Sequence, residues 1–301
     1  MRKATREAGH LNGILPVDKP AGPTSHDIVA LARRELHERR IGHTGTLDPF
    51  ASGLLLLCVG AATRLAEYLS GPAKRYTAVA RLGRATDTDD ATGVTSSESA
   101  NWRSVERARI EEAFQRLVGR VPQRPPTYSA KHVGGERSHR LARRGQPVRP
   151  AAVAVEIYAI ELVELDLPDV HFTVECASGT YVRAIARDFG EALGTGAHLV
   201  ALRRTAIGVF AVEDAVAAAS LADPEAVRRA WIDPLAALAH LPSVEVNGAA
   251  RQRIAHGAAV ADPHEAGSAA PAVVVAHDGQ LIAVAERRDG MLLPRKVFLH
   301  D

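Results

Sequence analysis

The sequence contains few cysteines, few aromatic residues and no long apolar run. Cys58 and Cys176 are its two cysteines, both in apolar stretches, and no cysteine–histidine spacing typical of zinc occurs. The absence of any run of about 18 apolar residues argues against a membrane-spanning helix. The first ten residues, MRKATREAGH, carry charge but lack the apolar stretch of a secretory signal. These absences predict a cytoplasmic protein with two reduced, buried thiols and no zinc site.

Net charge is also nearly absent, at +2, and by itself does not indicate a polyanionic partner. Its distribution is more informative, because the segment from Arg120 to Arg149 holds eight basic residues against one acid, Glu136. That segment carries +7, so the rest of the chain carries −5. A local field of one sign can bind a polyanion on a nearly neutral protein. A solvated charge run would have the same composition, so charge alone leaves RNA binding open.

The length of 301 residues suggests two domains, and the 46% hydrophobic content allows a sizeable core. Residues 1–9 are interpreted as a disordered tail. Residues 10–240 alternate predicted strands and helices, and include an irregular basic insertion at about 120–150 with one short helix at 136–144. Residues 241–301 change character to short strands with glycine-containing turns, which predicts a small β-rich C-terminal domain.

Hydrophobic periodicity within the first domain predicts its local elements. One helix should begin at Thr24 and run to about Glu38, and another should begin near Tyr181. The predicted strand 74–83 has side chains that alternate between two faces, with Tyr76, Ala78 and Ala80 on one of them. The remaining predictions are strands at 11–20, 54–60, 153–168 and 170–177, helices at 62–70 and 104–117, an acidic loop at 85–93, a loop and strand at 197–209, and an alanine-rich helical segment at 213–240.

The loop at residues 42–49, GHTGTLDP, combines two glycines, a histidine, two hydroxyls and an aspartate. Glycines allow the backbone to approach a ligand closely. Pro49 fixes its own φ and biases Asp48 towards an extended conformation, which would aim one carboxylate in a fixed direction. An ordinary Asp-Pro turn has the same pattern. The loop by itself therefore leaves both a catalytic carboxylate and a structural turn open.

The same loop resembles the catalytic loop of TruB-type pseudouridine synthases, in which the aspartate is the nucleophile. Further segments resemble that family in the same order, and the likeness runs from about residue 11 to 210. They are GILPVDKPAGPTSHD around Lys19 and Pro20, KRYTAVARLGRATDTDDATG around Tyr76, PPTYSAKHVGGER in the insertion, SGTYVRAIARDFGEAL with Tyr181 and Arg183, and GTGAHLVALRRTAIG with Leu202.

The resemblance implies an α+β fold, the pseudouridine synthase fold. A mixed, mostly antiparallel sheet with flanking helices would hold Asp48 on a loop at a central cleft. The basic insertion at about 120–150 would be the family's RNA-gripping element. Residues 241–301 agree in size and strand content with a PUA-like domain but contain no sharp motif. They are expected either to assist tRNA docking or to serve as a structural cap.

The activity implied by the resemblance is isomerisation of uridine 55 in the T loop of tRNA, an intramolecular transfer. The N1–C1′ bond breaks, the base turns, and C5 bonds to C1′. No atom is gained or lost, so no cofactor or metal is expected. The sequence accordingly lacks a Rossmann glycine fingerprint. The expected partner is the T arm of tRNA, with no protein partner and no membrane, and the protein is expected to be a monomer.

The resemblance assigns catalytic roles to three residues. Asp48 would act as nucleophile or stabilise positive charge at the sugar, and must be ionised and held still. Arg183, a permanent cation, would pair with Asp48 and lower its pKa. Tyr76 would stack its ring on the uracil, and its hydroxyl could assist removal of the C5 proton.

Further residues are expected to bind the substrate. An enzyme acting on C1′ and C5 must take the uridine out of its stack. By resemblance, His43 would contact the flipped nucleotide or fill the space that it leaves. Tyr181 would form a second wall or a hydrogen-bonding partner, and Leu202 would offer an apolar face or a backbone contact.

Phosphate contacts are expected to position the RNA without reading its sequence, so the shape of the T loop would set specificity. The residues predicted for this role are Lys19, Arg140, Arg143 and Arg144.

Two other functional classes remain open at this point. An RNA chaperone that folds tRNA without chemistry would use the basic insertion but would not need Asp48, Tyr76, Tyr181 and Arg183 together. An N-glycoside hydrolase using Asp48 alone would release free uracil. The sequence also leaves open whether Asp48 attacks C1′ or C6, whether a glycal forms, and which group is the C5 base.

Overall fold

The computed structural model describes residues 11–129, 132–133, 136–137, 144, 148, 150–264 and 270–298. The predicted disordered tail at 1–9 and the predicted phosphate contacts Arg140 and Arg143 lie outside the described residues. No helix in the described ranges is both long and apolar enough to cross a bilayer.

Strands are the main regular element of the described chain. In chain order they are β1 (Gly13–Lys19), β2 (Ile41–His43), β3 (Ser52–Val59), β4 (Lys74–Leu82), β5 (Arg84–Thr86), β6 (Thr95–Glu98), β7 (Gly119–Gln123), β8 (His132–Val133), β9 (Glu136–Arg137), β10 (Val153–Asp166), β11 (Asp169–Cys176), β12 (Ala197–Ile207), β13 (Phe210–Ala211), β14 (Val216–Ala217), β15 (Ser243–Glu245), β16 (Val260–Ala261), β17 (Ala270–His277), β18 (Gln280–Arg288) and β19 (Met291–Val297).

The helices are shorter and lie mostly between strands. They are α1 (Ser25–Glu35), α2 (Ala66–Ser70), α3 (Arg107–Gln115), α4 (Val182–Leu193), α5 (Pro224–Ala230), α6 (Pro234–Ala237) and α7 (Gly248–Ala255). Short 3-10 helices cover Gly60–Leu65, Asn101–Ser104, Val212–Asp214 and Ala218–Ser220.

One large sheet organises the first 240 residues. Among the described residues it has ten strands, in the order β14-β1-β3-β12-β4-β11-β10-β7, with β2 added to β3 and β13 added to β12. Neighbours are antiparallel except for the pairs β1–β14 and β3–β12. The prediction of an α+β fold with a mixed, mostly antiparallel sheet is therefore confirmed.

The central strand β4 shows why this sheet forms. Tyr76, Ala78 and Ala80 are buried on one face, as the alternation predicted, while their immediate neighbours are more exposed. Helices α3 and α4 cover that face. Phe114 of α3 packs against Phe172 and Phe189 with ring centroids 5.1 and 4.5 Å apart. Half of the chain's scarce phenylalanines thus meet in one cluster directly behind the sheet centre.

Helix α1 begins at a complete capping box. The Thr24 side chain accepts from the backbone of Asp27, and the Asp27 carboxylate accepts from the backbone of Thr24. The helix ends at Glu35, earlier than the predicted Glu38, because His37 adopts a φ of +54° and interrupts the helical path. The cap fixes the start of α1, and with it the position at which this part of the chain lies against residues 42–49.

Two helical predictions were wrong. Segment 213–240 is broken into the short helices α5 and α6, each with proline in its first turn, and extended backbone at Trp231 separates them. Ile232 there bridges to Ile14 of β1, so pairing with the sheet overrides the alanine-rich helix propensity. Residues 136–137, predicted to start a helix, are strand β9 of a hairpin with β8; residues 138–143 lie outside the described residues.

The C-terminal region forms a second sheet of order β15-β17-β18-β19-β16, with α7 beside it. This confirms the predicted β-rich character, and its division from the rest after residue 240 stays a prediction. The second sheet packs against the first, because Val274, Leu281 and Phe298 share one apolar cluster with Leu54 and Leu56 of β3.

Candidate active site

The loop that connects β2 to β3 presents Asp48, and main-chain hydrogen bonds fix both of its ends. Thr44 N donates to Leu56 O over 3.1 Å, and Ala51 N donates to Asp48 O over 3.1 Å. Ser25, the first residue of α1, grips the middle: its hydroxyl accepts from Leu47 N at 2.8 Å and donates to Leu47 O at 3.1 Å. The carboxylate therefore projects from a loop with little freedom.

Arg204 of β12 holds the same loop from beneath, with only 1% of its surface exposed. Its guanidinium donates to the carbonyls of Leu54 at 2.7 Å, Gly45 at 3.1 Å and Thr46 at 3.4 Å. Sequence reasoning missed both Arg204 and Ser25. Both stand in segments that resemble the family, but nothing in their spacing shows that they reach residues elsewhere in the chain.

Lys19 does not take the predicted role of phosphate contact. It is fully enclosed, at 0% exposure, and its ammonium group faces the carbonyls of Pro20 and Pro23 at 2.8 Å and Pro49 at 3.5 Å. Because those carbonyls occupy its donors and no surface reaches solvent, the structure contradicts a direct contact with RNA. Burial lowers the pKa of Lys19, and the nearby Asp48 opposes that shift. Lys19 therefore supports the Asp48 loop from behind.

Asp48 is paired with Arg183, the second residue of α4. Arg183 Nη2 donates to Asp48 Oδ1 over 3.2 Å, and Nε lies 2.9 Å from Oδ2. The Asp48 side chain remains 34% exposed, whereas that of Arg183 is 5% exposed. The carboxylate thus faces an opening while its cation is enclosed behind it.

Arg183 is itself oriented by groups that sequence reasoning missed. Its Nη1 donates to Thr88 O at 2.8 Å and lies 3.4 Å from Asp90 Oδ2, while Nη2 also donates to Tyr128 O at 3.0 Å. Asp90 Oδ1 accepts hydrogen bonds from Thr88 and from Thr92. The signal was available in the acidic loop at 85–93, where threonine and aspartate alternate.

Two opposing effects act on the acidity of Asp48. Burial in the cavity wall raises its pKa above the usual value, because it penalises the charged form. The Arg183 cation opposes that rise without cancelling it, while Asp90 adds to it. The net direction of the pKa is upward, and Arg183 is the largest influence that favours the ionised carboxylate.

Tyr76 and Leu202 form the floor of the site on neighbouring strands. Tyr76 of β4 lies opposite Arg204 of β12, and Leu202 lies opposite Ala78. Both side chains are largely buried, at 6% and 8% exposure. Burial raises the pKa of the Tyr76 hydroxyl, and the adjacent Arg204 cation opposes that rise.

Tyr181 and His43 complete the walls. Tyr181 is the residue before α4, and its main chain is held by the Gln123 amide, with Tyr181 N donating over 2.8 Å and Tyr181 O accepting over 3.2 Å. His43 ends β2. Burial lowers its pKa and so favours the neutral imidazole. Its Nδ1 is buried with no hydrogen-bond partner in the described chain.

One cavity of about 830 Å³ brings these groups together. The predicted residues that line it are Asp48, Tyr76, Arg183, His43, Tyr181 and Leu202. Lys19 lies outside the lining, and Arg144 is exposed away from it. The arrangement offers a fixed carboxylate, a buried cation beside it and an aromatic ring, which suits a reaction at a planar base attached to a sugar.

A grouping close enough to share a metal ion occurs elsewhere, at Glu245, His277 and Asp278 on the second sheet. It is the one such grouping in the ranges that the structure describes. Proximity is its only support, and it is unrelated to the cavity.

Comparison with protein families gives two matches. Residues 33–182 match the model described as "TruB family pseudouridylate synthase (N terminal domain)". Residues 183–238 match the model described as "tRNA pseudouridylate synthase B C-terminal domain". Together these matches span the catalytic-loop candidate, Tyr76, α4 and Leu202.

Individual relatives are similar over nearly their whole length. The tRNA pseudouridine synthase B of Burkholderia lata is 42% identical over 297 residues, covering 96% of this chain and 91% of the relative. The tRNA pseudouridine synthase B of an Arthrobacter species is 42% identical over 301 residues, covering 96% of this chain and 97% of the relative.

A solved structure is similar in fold. It is an H/ACA RNP bound to a substrate RNA containing 2′-deoxyuridine, and its matching chain is 27% identical with a TM-score of 0.74. The match covers 96% of this chain and 85% of that one.

Proposed function

The chain belongs to the TruB family of pseudouridylate synthases, and we propose that it isomerises uridine 55 in the T loop of tRNA, with Asp48 as the nucleophile. The observation that carries the proposal is the Asp48–Arg183 ion pair at a cavity that Tyr76 also lines. These residues are far apart in the sequence. A protein that only binds RNA would not need them assembled around one opening.

The reaction conserves every atom of the nucleoside. The N1–C1′ bond breaks, a C5–C1′ bond forms, C5 loses a proton and N1 gains one. The Asp48 carboxylate faces the cavity opening, where it can bond to the substrate while the base turns. Arg183 holds it ionised and aimed. Attack at C1′ and attack at C6 both begin from this carboxylate.

The cavity suits a nucleotide taken out of its stack. Tyr76 offers an aromatic face to the uracil, and Leu202 offers an apolar one. His43 lines the same cavity, which supports its predicted contact with the flipped nucleotide or with the space that it leaves.

The basic insertion is proposed to grip the T arm. Arg140, Arg143 and Arg144 remain the proposed phosphate contacts, since their spacing within the +7 segment supports electrostatic binding. The proposal also carries a cytoplasmic location, a monomeric state and a reaction without a cofactor.

The direct test is to map pseudouridine in a tRNA transcript incubated with the purified chain. Wild-type protein should place pseudouridine at position 55, with chelator present and no cofactor added. A transcript with cytidine at that position is the matched control and should remain unmodified. Release of free uracil would instead indicate a hydrolase, and tight binding without any conversion would indicate a chaperone.

Replacing Tyr76 separates the role of its ring from that of its hydroxyl. Tyr76→Leu removes both and should lower the single-turnover rate by roughly 10²-fold or more, because assisted proton transfer alone typically contributes about 10²- to 10⁴-fold and stacking adds to it. Tyr76→Phe keeps the ring. If the hydroxyl assists removal of the C5 proton, Tyr76→Phe should be nearly as slow as Tyr76→Leu. A Phe variant with the wild-type rate would assign the proton to another base.

A further inference from the structure

Helix α4 carries a second, largely buried arginine that the proposed mechanism does not use. Arg187 lies one turn after Arg183 on the same helix, and its side chain is 19% exposed. Its Nη1 donates to Asp89 Oδ2 over 3.0 Å, and its Nη2 donates to Arg124 O over 2.9 Å. One guanidinium thus joins the acidic loop to the chain segment that leads into the basic insertion.

Arg183 bridges the same two segments. It donates to Thr88 O in the acidic loop and to Tyr128 O on the way into the insertion, at 2.8 and 3.0 Å. The Gln123 amide adds a third connection, to the main chain of Tyr181. Segment 123–128 is therefore fastened to the start of α4 at three places, one of which is the arginine that holds Asp48.

Asp89 offers Arg187 an acceptor whose position is fixed by its own backbone contacts. It has a φ of +61°, which a residue other than glycine seldom adopts, and it is 9% exposed. Its carbonyl accepts from Leu199 N of β12 over 3.1 Å, which secures it to the large sheet. Burial raises its pKa to about 6, and Arg187 is the largest influence in the opposite direction. Loss of the cationic partner destabilises the protein more at a buried carboxylate than at a carboxylate in a surface ion pair.

We infer that Arg187 is a positioning residue that fixes the root of the basic insertion relative to the Asp48–Arg183 pair. The inference rests on the proposed function. A shift of segment 124–128 would move the Tyr128 carbonyl, one of the acceptors that orient Arg183, and so would change how Arg183 presents Asp48. Arg187 thereby contributes to the alignment of the carboxylate through segment 124–128 and Arg183.

The test compares chemistry with binding in the full-length chain. Arg187→Met should lower the single-turnover rate of pseudouridine formation by about 10- to 100-fold, since a displacement near 1 Å can cost that much. Affinity for the tRNA transcript, measured in an Asp48→Asn background that stops turnover, should change less than about twofold, because the phosphate contacts of the insertion are untouched.

The conservative variant separates positioning from charge. Arg187→Lys keeps a cation for Asp89 but cannot bond Asp89 and the Arg124 carbonyl together in the geometry of a guanidinium fork. Arg187→Lys should have a melting temperature near that of the wild-type protein and should retain most of the rate defect of Arg187→Met. Full recovery of the rate by Lys would overturn the inference in favour of a purely electrostatic role. Arg116→Met, at the exposed residue that follows α3 and pairs with Glu112 on the surface, is the matched control and should keep the wild-type rate.

Two further results would overturn the inference: a folded Arg187→Met protein with the wild-type rate, or a rate and an affinity that fall by the same factor. Should Arg187→Met fail to fold, Asp89→Asn serves instead, because asparagine tolerates the left-handed backbone and removes the ion pair. It should show the same selective loss of rate. Wild-type protein is run in each assay, so that absence of pseudouridine there would refute the proposed function, whereas an active Arg187→Met would refute only the role of Arg187.

Discussion

Asp48→Asn should abolish pseudouridine formation, lowering the single-turnover rate on the order of 10⁴-fold or more, as expected when a nucleophile is removed. The amide has the shape of the carboxylate but cannot form the bond to the substrate. The loss should appear at every pH and every tRNA concentration, because it removes a chemical step. Pseudouridine mapping under excess enzyme measures it directly.

The variant should remain folded, which is what makes the result interpretable. Burial raises the pKa of Asp48, so the folded state already disfavours its charged form, and a neutral isostere removes that penalty. Arg183 keeps the carbonyls of Thr88 and Tyr128 as acceptors. The melting temperature should therefore shift by no more than about 2 °C, the equivalent of ~1 kcal/mol in a chain of 301 residues.

Asp278→Asn provides the matched control for that substitution. Asp278 is exposed on the second sheet, and its φ of +48° is one that asparagine also accepts. It should keep the wild-type rate. A well-folded Asp48→Asn protein that still turned over would refute the nucleophile role, whatever the control showed.

Arg183→Met should produce the second-largest loss, on the order of 10²- to 10³-fold at neutral pH, comparable with removal of a preorganised electrostatic group. Two causes combine. The carboxylate loses the hydrogen bond that aims it, and it loses the cation that opposes the effect of burial on its pKa. Single-turnover rates across a pH series measure both.

The pH dependence has a definite sign. The ionised form of Asp48 is the reactive one, so activity falls as pH decreases through its pKa. Because burial raises that pKa, the acid limb of the wild-type pH–rate profile should lie at a higher pH than the titration of an ordinary aspartate. Without Arg183 the pKa rises further, so the limb of Arg183→Met should move to higher pH, and raising the pH should recover part of the rate.

Arg183→Lys tests the two causes separately. It restores a positive charge without the planar fork, so the acid limb should return towards the wild-type position while the plateau stays low. An Arg183→Met profile parallel to wild type, lower but with the same limb, would show that Arg183 only orients Asp48 and does not control its ionisation.

Much of the local structure could be predicted because it depends on neighbours in the sequence. The alternation around Tyr76 produced a strand with one buried face, and the threonine at position 24 produced a capped helix start. Predictions failed where distant contacts competed with local helix propensity. The alanine-rich segment 213–240 does not form one helix, because Ile232 pairs with Ile14 of the sheet.

The candidate site divides in the same way. Asp48 could be singled out, since Pro49 constrains its backbone and the nearby glycines allow a ligand to approach closely, and the likeness to a known family supplied its partners. Lys19 was wrongly expected at the RNA, because its exposure depends on Pro49 and on the turn that folds over it. Arg204 and Asp90 were missed, because their importance lies in what they touch rather than in their chemical type.

The order of residues was sufficient to establish which chemical groups are available and how the backbone runs locally around each, since both depend on residue type and on near neighbours. Which groups meet was settled by the folded chain alone: the ion pair of Asp48 and Arg183 joins positions 135 residues apart, and Arg204 reaches a carbonyl 150 residues away. Burial, charge balance and partner choice arise from such distant contacts. They therefore set the acidity of the carboxylate and the aim of its cation, which no local pattern encodes.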